Sequence, residues 1–263
     1  MISPFARSVW PRPVCPPGTP VGAKKANPIC CIIGDSKQFG TGTPSGNASR
    51  RYLDLMLLAS GINVTWKGNQ TSGNYARTEK TQCIVAATLA DHLASGSINT
   101  PQYFGVGNPL HPCDTFLVVT GSNDGDGGPG TPNVVNYGAN LNTLWSELVA
   151  KEPGCTFGTA YIERGGSVLR NSGIDDINAT QIAAGIATIQ GAGGLATTGD
   201  NRVLPQAQAI SGLGGQGSLY LGTESPDWVH DADAGCLIVA CQLLPLMQNL
   251  CGYAAQWPGD AVS

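Results

Sequence analysis

The sequence predicts an α/β fold of three layers: a central, mostly parallel five-stranded sheet with helices on both faces. Three observations carry this. Two short apolar runs, Pro28 to Ile33 and Asp114 to Thr120, are rich in β-branched residues and lead into glycine, as strands buried on both faces do. Segments of helical periodicity alternate with strand candidates, the pattern of a parallel sheet covered on both sides. The 263 residues suffice for one large domain with a substantial core.

In chain order, residues 1–27 are rich in Pro and Gly and read as an extended arm or linker, leaving 28–263 as the domain. Strand one covers about 28–34 and turns through Gly34-Asp35-Ser36. Residues Ala48–Ser60 form an amphipathic helix with Tyr52, Leu55, Met56 and Ala59 inward and Arg50, Arg51 and Asp54 between them, stopped by Gly61. Ile62–Lys67 alternates as a strand, 69–80 is a polar loop, and 82–94 looks helical. After a Gly/Pro/Asn connection, Asp114–Thr120 is the second buried strand and runs into Gly121-Ser122-Asn123-Asp124. Helices follow at 133–151, with Leu141, Leu144, Trp145 and Leu148 on one face, and at Asp175–Gln190, with a strand at Cys155–Glu163 between them. Residues 191–226 carry no clear pattern. A last helix runs from Ala234 to about Leu250, with Ala234, Leu237, Ile238 and Cys241 on one face and Pro245 inside it.

Composition narrows the partners. Charged residues make up only 12% of the chain, net charge is −4, and no basic block stands out, so nucleic acid is not expected. No apolar run approaches a membrane span. Nine cysteines, none with zinc spacing, and few charges point to an oxidising, extracellular setting, although the start lacks the apolar core of a signal peptide. Cys30 and Cys31 lie in strand one and fit as small buried hydrophobes. Four Asn-x-Ser/Thr patterns, at Asn47, Asn63, Asn69 and Asn178, carry little weight in a chain this rich in Asn and Thr.

Chemistry concentrates at strand ends. Ser36 follows strand one, at the edge where open α/β sheets bind ligands, with backbone N–H groups close by. By itself Asp35-Ser36 is also a good helix cap. Asn123 follows the second buried strand, so its amide reaches the same edge, although Asn123-Asp124-Gly125 also suits a turn. Near the C-terminus stands Asp227-Trp-Val-His230. A carboxylate three residues before an imidazole can hold Nδ1–H and leave Nε2 as a general base towards a serine. Asp231 and Asp233 compete as the orienting carboxylate, and His111 with Asp114 is the rival pairing. His92 sits in the helical segment among Ala and Leu, with no better-placed carboxylate.

Together these segments resemble the SGNH (GDSL-type) hydrolase family, most of all its carbohydrate-esterase-like members, over about residues 28–245. Gly34-Asp35-Ser36 with Gly40 is similar to the first block of the family, Gly121-x-Asn123-Asp124 to the third, and Asp227-x-x-His230 to the fifth. The resemblance implies a flavodoxin-like fold, Ser36 as nucleophile, His230 as base, Asp227 as its orienter, and an oxyanion hole from the Ser36 N–H and Asn123. It implies no metal or organic cofactor. The second block departs: Cys83 falls where the family has a glycine that donates a backbone N–H, and Gly73 is the alternative. The implied activity is hydrolysis of a small ester or O-acylated polysaccharide with a short acyl group, acetyl first. The rival is a carbohydrate-binding or virion/cell-surface structural module on the same scaffold. Acyl transfer to an acceptor other than water would use the same residues.

Overall fold

The structure, a computed structural model, describes residues 20–41, 43, 46, 48–93, 112–165, 167–198 and 233–255. The sheet is built around β1 (Ile29–Gly34) and β5 (Thr115–Val119), which pair in parallel from Cys30↔Thr115 to Gly34↔Val119. Outward from β5 come β6 (Thr156–Thr159) and β7 (Leu195–Thr198), both parallel. The other flank of β1 is shared by two short parallel strands. β2 (Thr65–Lys67) takes its first half and β4 (Lys80–Cys83) its second, with Gly34 opposite Cys83. β3 (Gln70–Thr71) closes that edge antiparallel to β4. Among the described residues the sheet therefore has seven strands rather than five. The surplus comes from short strands inside what reads as loop and helix.

Alternation along β1 divides the core. Cys31 and Ile33 join Phe116 and Val118 under α3 (Leu89–Leu93), α5 (Tyr137–Lys151) and α7 (Ile182–Gly191). Cys30 and Ile32 join Leu117 under α2 (Ala48–Ala59) and α8 (Asp233–Leu250). A strand with both faces buried needs apolar residues throughout, as the β1 sequence has. Three short helices complete the set: α1 (Ser36–Phe39), α4 (Pro132–Val135) and α6 (Val168–Asp176). A π-helical stretch, Ile177–Gln181, joins α6 to α7, and the Asn178 amide in it bonds both the N–H and C=O of Ile162.

Several expectations shift. Within the segment read as one helix, residues 82–93 are the end of β4, a turn, and α3. α2 does not turn its Leu55 face inward. Leu53 and Leu57 face the sheet, Leu55 is 41% exposed, and Arg50 and Asp54 are buried. The reason is polar: Arg50 donates to the carbonyls of Phe39, Ser72 and Thr78, while Asp54 accepts from Trp66, Tyr75 and Arg77. On α8 the buried face is carried by Cys236, Val239, Ala240, Leu243 and Met247, and Leu237, Ile238 and Cys241 are half-buried. The last residues of the N-terminal arm dock on the domain. Val21 and Lys25 donate backbone N–H groups to Asn249 and Cys251, and the Lys25 ammonium binds the Asp114 carbonyl and the Thr115 and Thr156 hydroxyls at 2.6, 2.7 and 2.8 Å. The eight cysteines among the described residues are free thiols, seven of them buried.

Candidate active site

The turn after β1 is fixed by glycine and aspartate. Asp35 caps α1, its carboxylate accepting the Lys37 N–H at 3.0 Å. Gly40 ends α1 at φ 104°, with Gly46 packed so close that an added Cβ would meet its carbonyl oxygen at 2.1 Å. Only glycine fits there. Ser36 is thus the first residue of α1, 8% exposed, at the C-terminal edge of the sheet.

The turn after β5 arrives beside it, and each of its residues grips a different piece of the edge. The N–H groups of Gly121 and Ser122 donate to the Asp35 carboxylate, Ser122 at 3.3 Å. The Asn123 side-chain amide donates to the Ala87 carbonyl at 3.0 Å. Asp124 accepts the Leu89 N–H at 3.1 and 3.0 Å, capping α3. Gly121 has φ 136°, and a Cβ on it would run into Ile162 at 2.1 Å. An amide nitrogen carries two hydrogens, so Asn123 keeps one donor beyond its bond to Ala87.

Burial sets the ionisation of these groups. It pushes Asp35 up, opposed by the Lys37 charge and by amide donors. It pushes Asp124 up to about 7, against the Leu89 N–H. His92, fully buried on α3, is pushed down to about 4, with its Nε2 3.1 Å from the Gly34 carbonyl.

Cys83 ends β4 opposite Gly34, at the same edge as Ser36. Its thiol is buried and driven up to about 12 by desolvation, so it is no nucleophile near neutrality. The ladder phase matters for its amide. Ile84 N–H donates to Gly34 O at 2.9 Å, so with successive amides alternating in direction the Cys83 N–H points away from β1. Gly73 has φ 87° and packs against Gly46, past the far end of α1. The turn after β4 supplies a residue that no sequence signal marks: Ala86 at φ 62°, next to the Ala87 carbonyl that Asn123 binds. A non-glycine residue in this region is uncommon, and strain of this kind clusters at functional sites. Asp227, His230 and His111 lie outside the described residues.

A cleft opens beside Asp35 and Lys37, the residues on either side of Ser36, between α1, the ends of β5 and β6, and α8. Its polar lining includes Lys37, Thr120, Tyr161, Glu163 and Gln242, with Val239 and Leu243 as apolar wall. Lys37 and Glu163, both largely buried, pair at 3.5 Å across it. The Thr120 hydroxyl and the Gln242 amide nitrogen are buried with no hydrogen-bond partner among the described residues.

Solved structures share this arrangement of strands and helices. A family 3 carbohydrate esterase from Clostridium thermocellum aligns over 86% of this chain and 100% of its own, with 18% identity and a TM-score of 0.60. One from Talaromyces cellulolyticus covers 85% and 98%, with 16% identity and a TM-score of 0.63. The chain has the SGNH-hydrolase fold. A catalytic mutant of an acetylxylan esterase from Geobacillus stearothermophilus aligns over 89% and 97%, with 16% identity and a TM-score of 0.51. No protein-family model and no curated protein matches the sequence. Val239, Gln242 and Leu243 of α8 line one cleft with Asp35 of the β1 turn and Ser122 of the β5 turn. α8 runs towards the opposite edge, since Asn249 and Cys251 at its C-terminal end hold the arm segment whose Lys25 clamps the starts of β5 and β6.

Proposed function

We propose that the chain is a serine ester hydrolase that removes a short acyl group, acetyl first, from a carbohydrate. Ser36 Oγ attacks the acyl carbonyl while His230, oriented by Asp227, takes its proton. The Ser36 N–H and the Asn123 amide hold the oxyanion. His230 then returns the proton to the departing sugar oxygen, and a water activated by His230 hydrolyses the acyl-enzyme and restores Ser36. The observation that carries this reading is the meeting of Ser36 and Asn123 at one strand edge, tied by Asp35 to Ser122. His230 lies three residues before α8, and α8 starts at that same edge, which supports its role as the base. For the third oxyanion donor, Cys83 and Gly73 are the sequence candidates. The phase of the β1–β4 ladder argues against the Cys83 amide, and in the turn that follows, Ile84 and Ala87 already donate to Gly34 and Ile84, which favours Val85 or Ala86.

The cleft supports a sugar on the leaving-group side. Tyr161 contributes an aromatic ring to its lining, and the Thr120 hydroxyl and Gln242 amide nitrogen have no hydrogen-bond partner among the described residues. The likeness to carbohydrate and acetylxylan esterases points the same way. The test compares wild type, Ser36→Ala and His230→Ala on 4-nitrophenyl acetate and octanoate, then on acetylated polysaccharide. Turnover of acetate lost in both variants supports the reading. A preference for octanoate overturns the short-acyl assignment, and inactivity of all three on every ester favours the binding module.

A further inference from the structure

We infer that His92 is a positioning residue that fixes the spacing between Ser36 and Asn123 through α3. The helix forms a crosspiece behind the two turns. Its first residue, Leu89, is held by the Asp124 carboxylate, next to Asn123. One turn later His92 Nε2 lies 3.1 Å from the carbonyl of Gly34, two residues before Ser36. A carbonyl only accepts, so Nε2 carries the proton. The same oxygen accepts the Ile84 N–H at 2.9 Å, so the carbonyl before the nucleophile turn is held from two sides. One of those donors belongs to the turn that carries Ala86 and the Ala87 carbonyl bound by Asn123. Gly34 has no slack: a Cβ there would meet Gln38 at 2.7 Å and the Cys83 sulfur at 2.9 Å.

Burial keeps the ring neutral near physiological pH, so the donor persists there. A five-residue helix spans only about 7 Å. Tied at both ends, it leaves little room for the two turns to drift. Misplacement by about 1 Å of a reacting group costs about 10²-fold in rate.

This inference rests on Ser36 being the nucleophile, and the test separates the two. His92→Gln places an amide nitrogen near the Nε2 position, whereas His92→Met keeps bulk without a donor. Fluorophosphonate labelling rate at Ser36, kcat and KM on 4-nitrophenyl acetate, and Tm are measured for both against wild type. The expected result is a loss in His92→Met of about 10- to 100-fold in kcat and labelling rate with KM little changed. His92→Gln recovers most of that loss. Equal rates for wild type and His92→Met, or a His92→Gln no better than His92→Met, overturn the positioning role while Ser36 stands. A wild type that neither labels nor turns over ester removes the reading beneath it, and the inference falls with it.

Discussion

The two edges of the sheet bury polar groups to different ends. At the N-terminal edge the Lys25 ammonium sits among the Asp114 carbonyl, two threonine hydroxyls and the Asp114 carboxylate, 3.3 Å away. The Thr156 hydroxyl in turn donates to the Leu250 carbonyl at 2.8 Å. These groups hold the starts of two strands to the end of α8. At the C-terminal edge Asp35, Asn123, Asp124 and His92 each bond a backbone group from a different turn. Removing one of them changes where a turn sits. The first edge serves stability, and the second orders the strand ends where an α/β sheet takes its ligand.

Substitutions at the two edges sharpen that contrast. The largest effect belongs to Ser36→Ala: kcat on 4-nitrophenyl acetate should fall by about 10⁴- to 10⁶-fold, with thermal unfolding unchanged. Asn123→Ala should lower kcat by about 10²- to 10³-fold, with a smaller effect on KM. At the other edge, Lys25→Met should lower the unfolding free energy in urea by about 1–3 kcal/mol while kcat per folded molecule stays at the wild-type level. A folded Lys25→Met that loses kcat would break the comparison.

The smallest effect is a pH dependence. Burial raises Asp124 from the ordinary 3.8 to about 7, so between these values the folded state keeps a proton that the unfolded chain has lost. Stability from this group is full below the lower value and is lost as pH rises through the upper one. His92 works the other way. Its pKa is lowered from 6.5 to about 4, so its contribution is present above the higher value and lost as pH falls through the lower one. Thermal unfolding followed from about pH 4 to about pH 8 should show Asp124→Asn losing less Tm than wild type towards the alkaline end, and His92→Gln losing less towards the acid end.

Local chemistry made the centre of the molecule legible. β1 and β5 are apolar runs that end at glycine, and Gly40 and Gly121 stand where the backbone requires them. Ser36 and Asn123 could therefore be placed at one edge from sequence. What stayed hidden was set by distant contacts. Arg50 and Asp54 look like the solvent side of a helix and are instead buried, held by carbonyls and side chains from elsewhere in the chain. Cys83 to Ala87 is a short apolar run that periodicity alone cannot assign to helix or strand, and the pairing of Gln82 with Ile33 and of Cys83 with Gly34 makes its start a strand. Seven of the eight described cysteines are buried among core residues, the role that the sequence suggests for Cys30 and Cys31. Nothing in the sequence marks the left-handed Ala86, and no sequence signal points to His92, because the Gly34 carbonyl beside its Nε2 is a backbone group 58 residues away.

The proposed chemistry turns on Ser36 being an activated nucleophile. Reaction of the wild-type protein with a fluorophosphonate, followed by peptide mapping in a mass spectrometer, tests it directly. One adduct is expected, on Ser36, that blocks turnover of 4-nitrophenyl acetate and is absent from Ser36→Ala. An adduct on another residue, or ester turnover that survives with Ser36 unmodified, would contradict it.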